Sequence, residues 1–281
     1  MTPAAALADR TADPFCAEGV LSAIHELVDG THSKAIADLI TVGSHQEELL
    51  ITLGKVGLPR YANFIGRYKD DPAPGVPRSV AAALGLIDNE AVAMPVLVQL
   101  LARTGTAPDE FMIRWEASES LVKVAKRKGT EGARRRVLEL LREPDAMTVT
   151  LAARTLAHVG EPRGREKLRE ATSHADPRVR AEALLALGQV ADKDGRDVVM
   201  RRLKDDNLAV RACAVFALGR IAGPTAAPAL RAAVQEALAY EQELERRKAR
   251  GESEQVLHDR YGLGVYDLRE TLQEALPGPP R

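Results

Sequence analysis

Residues Asp176–Val190 read DPRVRAEALLALGQV, and thirty-one residues further on Asn207–Ile221 read NLAVRACAVFALGRI. One period earlier a third copy, DAMTVTLAARTLAHV, fills Asp145–Val159. Aligned, the copies match at Asp145, Asp176 and Asn207, at Ala152, Ala183 and Ala214, at Leu156, Leu187 and Leu218, and at Val159, Val190 and Ile221. Asp or Asn opens each copy, where a short side-chain oxygen can accept from the free amides of a helix N-terminus. Val179, Ala183, Leu187 and Val190 then follow at the spacing of one helical face. Gly188 and Gly219 fall late in that helix, where a neighbouring backbone can come close. A short breaker and a second amphipathic stretch, such as RDVVMRRLK, complete the unit, with Leu168, Val199 and Leu230 in register. Such a helix–turn–helix unit cannot bury its apolar face alone, so the copies must stack.

Looser copies extend toward the N-terminus. DEFMIRWEASESLVKVA (Asp109–Ala125) precedes a helix around RRRVLELL, GVPRSVAAALGLI (Gly75–Ile87) precedes NEAVAMPVLVQLLART, and QEELLITLGKV (Gln46–Val56) precedes PRYANFIGRY. A divergent first pair, AEGVLSAIHELV and SKAIADLI, reads as a cap. No stretch alternates like a strand, so the expected class is all-α.

The pattern D-x-x-V-R-x-x-A-x-x-A-L-G-x-I resembles HEAT repeats, most closely the short bacterial type first associated with phycobilin lyases. The resemblance covers roughly residues 45–235 and is strongest over 145–235. It implies a right-handed α-solenoid of about seven helical hairpins whose second helices line a concave face. It also implies that Arg180 and Arg211, with Arg114 in the looser copy, ladder with the capping acids of adjacent repeats. HEAT arrays serve many unrelated roles, so the resemblance specifies fold and not function. Residues 1–15 are expected to be a flexible N-terminus, 16–235 the solenoid with 16–44 as its N-terminal cap, and 236–281 an extended last helix and C-terminal cap. That last segment either covers the terminal repeat or forms a homodimer contact.

Composition narrows the functions available. Of 281 residues, 28% are charged and 45% apolar, and the formal net charge of -1 provides no global pull toward nucleic acid or membrane. Aromatics are only 4%, which leaves few surfaces on which bases could stack. Cys16 and Cys213 form no CxxC pair and suit a reducing cytoplasm. Neither a signal peptide nor a membrane span is expected.

Chemistry-bearing motifs are sparse. The six histidines are scattered, and the single His-Glu pair, at His25, has no counterpart to complete a metal shell. YGLGVYD (Tyr261–Asp267) lacks the third glycine and the preceding strand of a dinucleotide loop. No catalytic residue, metal or cofactor is therefore assigned.

Binding candidates come from departures from the repeat. Trp115 stands in the column of Thr150, Ala181 and Ala212, which helical phase places away from the core face. It is expected either to cover the adjacent RTGTAPDE loop or to form an exposed anchor. Tyr61, Phe64 and Tyr68 form a stripe flanked by Arg60 and Arg67. Residues 114–136 hold eight cations against three acids, including Lys126, Arg127 and Arg135. Arg201 lies on the second helix of the most regular repeat. The expected function is a non-enzymatic cytoplasmic scaffold gripping a protein partner through Trp115, Arg60, Arg67, Lys126, Arg127, Arg135 and Arg201. A nucleic-acid or phosphate binder using the 114–136 segment is the alternative, and a bilin-lyase-like accessory subunit ranks below it.

Overall fold

Asp145, Asp176 and Asn207 each cap a helix in the computed structural model, as their columns require. Asp145 Oδ2 accepts from the Thr148 amide at 2.7 Å, Asp176 Oδ1 from the Arg178 amide at 2.8 Å, and Asn207 Oδ1 from the Val210 amide at 3.2 Å. The structure describes residues 33–222 except 44, 74, 106–107 and 128–130, together with isolated positions between 228 and 251. The expected first helix AEGVLSAIHELV, the extended last helix and the C-terminal cap lie largely or wholly outside the described residues.

Twelve α-helices and no strand occur among the described residues. They are α1 Ser33–Val42, α2 Gln46–Val56, α3 Ala62–Gly66, α4 Gly75–Leu86, α5 Glu90–Leu101 and α6 Pro108–Ala125. There follow α7 Glu131–Glu139, α8 Ala146–His158, α9 Pro162–Ala171, α10 Pro177–Gln189, α11 Arg196–Arg202 and α12 Leu208–Ala222. Short 3-10 turns at Pro59–Tyr61, Leu140–Arg142 and Lys193–Gly195 lie between them.

The chain divides into two compact units, Met1–Leu140 and Leu141–Arg281. In the first unit α2, α4 and α6 are first helices stacked in sequence, each followed by its second helix, α3, α5 or α7. In the second unit α8, α10 and α12 stack the same way, with α9 and α11 as second helices. This all-α stacking of hairpins is the α-solenoid mode of packing.

Small residues set how closely first helices approach. A Cβ placed on Gly188 would lie 2.8 Å from Ala217 Cα and 2.9 Å from Phe216 Cε1. A Cβ on Gly54 would lie 2.6 Å from Ala83 Cα. Both contacts are too short for any side chain, so glycine is required where α10 meets α12 and where α2 meets α4.

The same packing overturns the helical phase expected for the Thr150, Ala181 and Ala212 column. These residues are 1%, 4% and 1% exposed, so the column is interior. A first helix in a stack is enclosed by the first helices on either side and by its own second helix, leaving little of its circumference to solvent. α10 accordingly buries Val179, Arg180, Ala181, Glu182, Ala183, Leu184, Ala186, Leu187 and Gly188. Trp115, in the equivalent column of α6, is half-buried.

Candidate functional site

Most arginines of the stacked helices are consumed in building the fold. Arg180 donates from Nε to Asp205 Oδ2 at 3.0 Å and from Nη2 to Asp205 Oδ1 at 2.7 Å, and its Nη1 reaches the carbonyls of His174 and Ala175. Asp205 precedes the next repeat's cap and also accepts from the Asn207 amide at 3.0 Å. Burial alone would push the Asp205 carboxyl up. The hydrogen bonds from Arg180 and Asn207 outweigh it and hold the group below its ordinary range. The expected arginine–acid ladder is therefore present at Arg180, with the acid two residues ahead of the cap. Arg114 is buried and donates from Nε to the Leu101 carbonyl at 3.1 Å.

Two further fork-like pairs tie hairpins together. Arg169 on α9 holds both oxygens of Asp192 at 2.6 and 2.7 Å, and Arg103 holds both oxygens of Glu110 at 2.7 and 2.6 Å. Bonding to Arg103 outweighs desolvation and lowers the Glu110 carboxyl.

A buried polar pair joins α8 to α10. Arg154 and Glu182 have side chains only 1% exposed, with Nε 3.5 Å from Oε1. Arg154 Nε also donates to Gln189 Oε1 at 3.1 Å, and that oxygen lies 3.2 Å from His158 Nε2. Cys213 is buried nearby; burial, then the Glu182 charge, pushes its thiol well above its ordinary value.

The residues singled out from sequence are dispersed. Arg60 is exposed, donates to Ser33 Oγ at 3.3 Å and sits 5.0 Å from the centroid of the Tyr61 ring. Tyr61 meets Ser33 on α1 through its hydroxyl at 3.0 Å, while Phe64 and Tyr68 pack edge-on at 5.6 Å. Arg67, Lys126, Arg135 and Arg201 are exposed. Arg127 departs from expectation. Its Nη1 donates to the Ile87 carbonyl at 2.6 Å and its Nη2 to the Gly85 carbonyl at 2.7 Å, which caps the C-terminal end of α4. Its guanidinium is thus engaged in the fold. With Arg114 and Arg127 so engaged, the 114–136 segment presents fewer cations than its composition suggests.

What distinguishes one repeat from another lies on the second helices. Val137, Leu168 and Val199 share a column and are all fully buried, so the inward side of α7, α9 and α11 is constant. On the outward side, Arg135, Glu166 and Asp197 share one exposed column, and Glu139, Glu170 and Arg201 share another. Within the second unit the first set is acidic in both copies, and the second changes from Glu170 to Arg201. Met200, 41% exposed, replaces the structural arginine found one repeat earlier at Arg169. Sequence reading named Arg135 and Arg201 but passed over Met200, whose signal was that mismatch with Arg169.

Fold and geometry define an α-helical repeat protein whose inner columns are matched and whose outer columns diverge. Residues 165–242 match the family model of HEAT repeats. No curated protein matches the chain. Among solved structures it is similar to the complex of CpcE and CpcF of phycocyanin lyase from Nostoc sp. PCC7120. The identity there is 20% and the TM-score 0.40, over 63% of this chain and 66% of that one. An engineered protein aligns at 22% identity and TM-score 0.39, over 76% of this chain and 94% of that one. Human deoxyhypusine hydroxylase in complex with glycerol aligns at 18% identity and TM-score 0.34, over 87% and 96%. None of these likenesses transfers a site. Among the described residues no group of three His, Cys, Asp or Glu side chains is placed to hold a metal ion, and no helix is long and apolar enough to cross a membrane.

Proposed function

We propose that the protein is a non-enzymatic cytoplasmic scaffold or adaptor that holds a protein partner on the outward columns of its second helices. The observation that carries this reading is the contrast between columns. Val137, Leu168 and Val199 repeat because stacking demands them, whereas the exposed aligned positions differ in charge, with Arg135 set against Glu166 and Asp197, and Glu139 and Glu170 set against Arg201. Stacking places no demand on exposed positions. Their divergence suits recognition of one particular partner, whose own charges complement them. Arg135 and Arg201 are the cations that this reading places against that partner.

The test is affinity capture from the native host with the full-length chain as bait, in parallel with Arg135→Glu/Arg201→Glu. The expected result is a stoichiometric protein partner that the charge-reversed bait fails to hold. Turnover of a substrate by the purified chain, abolished by a single polar substitution, overturns the reading.

A further inference from the structure

Helix α11 carries a surface whose residues have no task in the fold. Its inward residue, Val199, is fully buried. Arg196, Asp197, Met200 and Arg201 are exposed along its other side, and Lys204 continues that edge in the following turn. The i, i+4 spacing of Arg196 and Met200 puts them on one line of the helix.

Several cations of the same unit are engaged: Lys167 with Glu170, Arg169 with Asp192 and Asp194, Arg178 with Asp176, Arg180 with Asp205 and Asp206, and Arg202 with Asp205. Arg196, Arg201 and Lys204 make no ion pair or side-chain hydrogen bond with another described residue. Met200 stands among them as an exposed large apolar side chain at the column where Arg169 ties its hairpin to the next. An uncommitted thioether ringed by uncommitted cations has the composition of a docking centre, since Met and Arg are enriched in interface cores and Met adapts its shape to an apolar partner.

We propose that the outward edge of α11 docks an acidic peptide segment bearing an apolar side chain. Met200 receives that side chain, while Arg196, Arg201 and Lys204 receive the flanking carboxylates. The proposal rests on the scaffold reading above and names the surface and partner chemistry for this repeat. Charge complementarity selects an acidic partner. The exposed Asp194, Asp197 and Asp206 interrupt the positive edge, which disfavours a continuous phosphate backbone and suits a peptide whose acids are spaced.

The experiment uses fluorescence anisotropy with the full-length protein and a fluorescein-labelled peptide of Glu-Glu-Leu repeats. The comparison probes are a Glu-Glu-Ser peptide, a Gln-Gln-Leu peptide and a short duplex DNA. Saturable binding of the Glu-Glu-Leu probe is expected, falling by roughly tenfold from low to high salt. Met200→Ser should weaken that probe several-fold and leave the Glu-Glu-Ser probe unchanged. Arg196→Glu/Arg201→Glu/Lys204→Glu should abolish binding. All four positions are exposed, so circular-dichroism melts should match the parent and exclude misfolding. Absence of Glu-Glu-Leu binding by the parent, binding indifferent to the variants, or duplex DNA bound as tightly as the peptide overturns the proposal. A native partner still captured by the triple variant sinks this surface while leaving the scaffold reading intact; failure of the parent to capture any partner counts against the scaffold reading itself.

Discussion

Replacing Arg154 by leucine, the residue at the matching position of the next copy, removes one member of a pair that no neighbouring repeat possesses. Leu185 and Phe216 fill the Arg154 column, and Leu151 and Cys213 fill the Glu182 column. With both side chains 1% exposed and 3.5 Å between Nε and Oε1, the gross attraction is about 5 kcal/mol at an effective dielectric near 20. Desolvation of the two charges offsets much of it, so the pair adds little net stability over apolar residues of similar size. Breaking it is another matter. Arg154→Leu strands the Glu182 carboxylate in the core and should cost about 3–5 kcal/mol, as should Glu182→Leu by stranding the guanidinium. For a chain of this size such a loss lowers Tm by roughly 10–15 °C. The double variant restores the apolar columns on both helices and should melt within about 1 kcal/mol of the parent, or above it. Urea or thermal melts of the four proteins form a double-mutant cycle, and the expected coupling is at least about 3 kcal/mol. Additive losses, or single variants that each cost under about 1 kcal/mol, would refute the assignment of a buried, mutually dependent pair.

Other expectations follow from single contacts. Gly188→Ala places a methyl against the Ala217 backbone and should cost about 1–3 kcal/mol in a urea melt, whereas Gly160→Ala, with positive φ but open space, loses only its own backbone strain. Leu187→Ala removes a fully buried side chain and should cost about 2–5 kcal/mol, read by the same melt. The Asp205, Asp176 and Glu110 carboxyls sit below their ordinary ranges in the folded chain, so they stabilise it above their unfolded values, near pH 4. That stability is lost as pH falls through the folded values, and Asp205→Asn should flatten the acid limb of a stability–pH curve. Cys213 should resist a thiol reagent in the native chain and react at once in denaturant, because burial holds its thiol protonated.

The regular block was legible because stacking writes itself into sequence at a fixed period. Asp145, Asp176 and Asn207 announced their helices, and Gly188 announced a close approach that α12 indeed makes. The phase of the Ala181 column was not legible. Ala and Thr side chains are too small and neutral to report a face, and an enclosed first helix presents several buried sides where an amphipathic one presents a single side. The capping role of Arg127 was not legible for a different reason: its acceptors, the Gly85 and Ile87 carbonyls, are backbone groups some forty residues earlier, invisible in any local pattern. Arg154 and Glu182 were visible only as charges out of place in apolar columns. Read singly, each suggests an exposed position, and only their pairing across α8 and α10 explains their burial.

The central claim is that matched inner columns build the array while divergent outer columns bind. Photo-crosslinking tests it most directly. A benzophenone amino acid is placed in turn at the outward positions Glu166 and Arg201 and at the exposed first-helix positions Arg78 and Arg178, and each protein is irradiated in native-host lysate. The account predicts one discrete protein adduct from Glu166 and Arg201 and none from Arg78 and Arg178. Adducts confined to Arg78 and Arg178, or no adduct from any position, would contradict it.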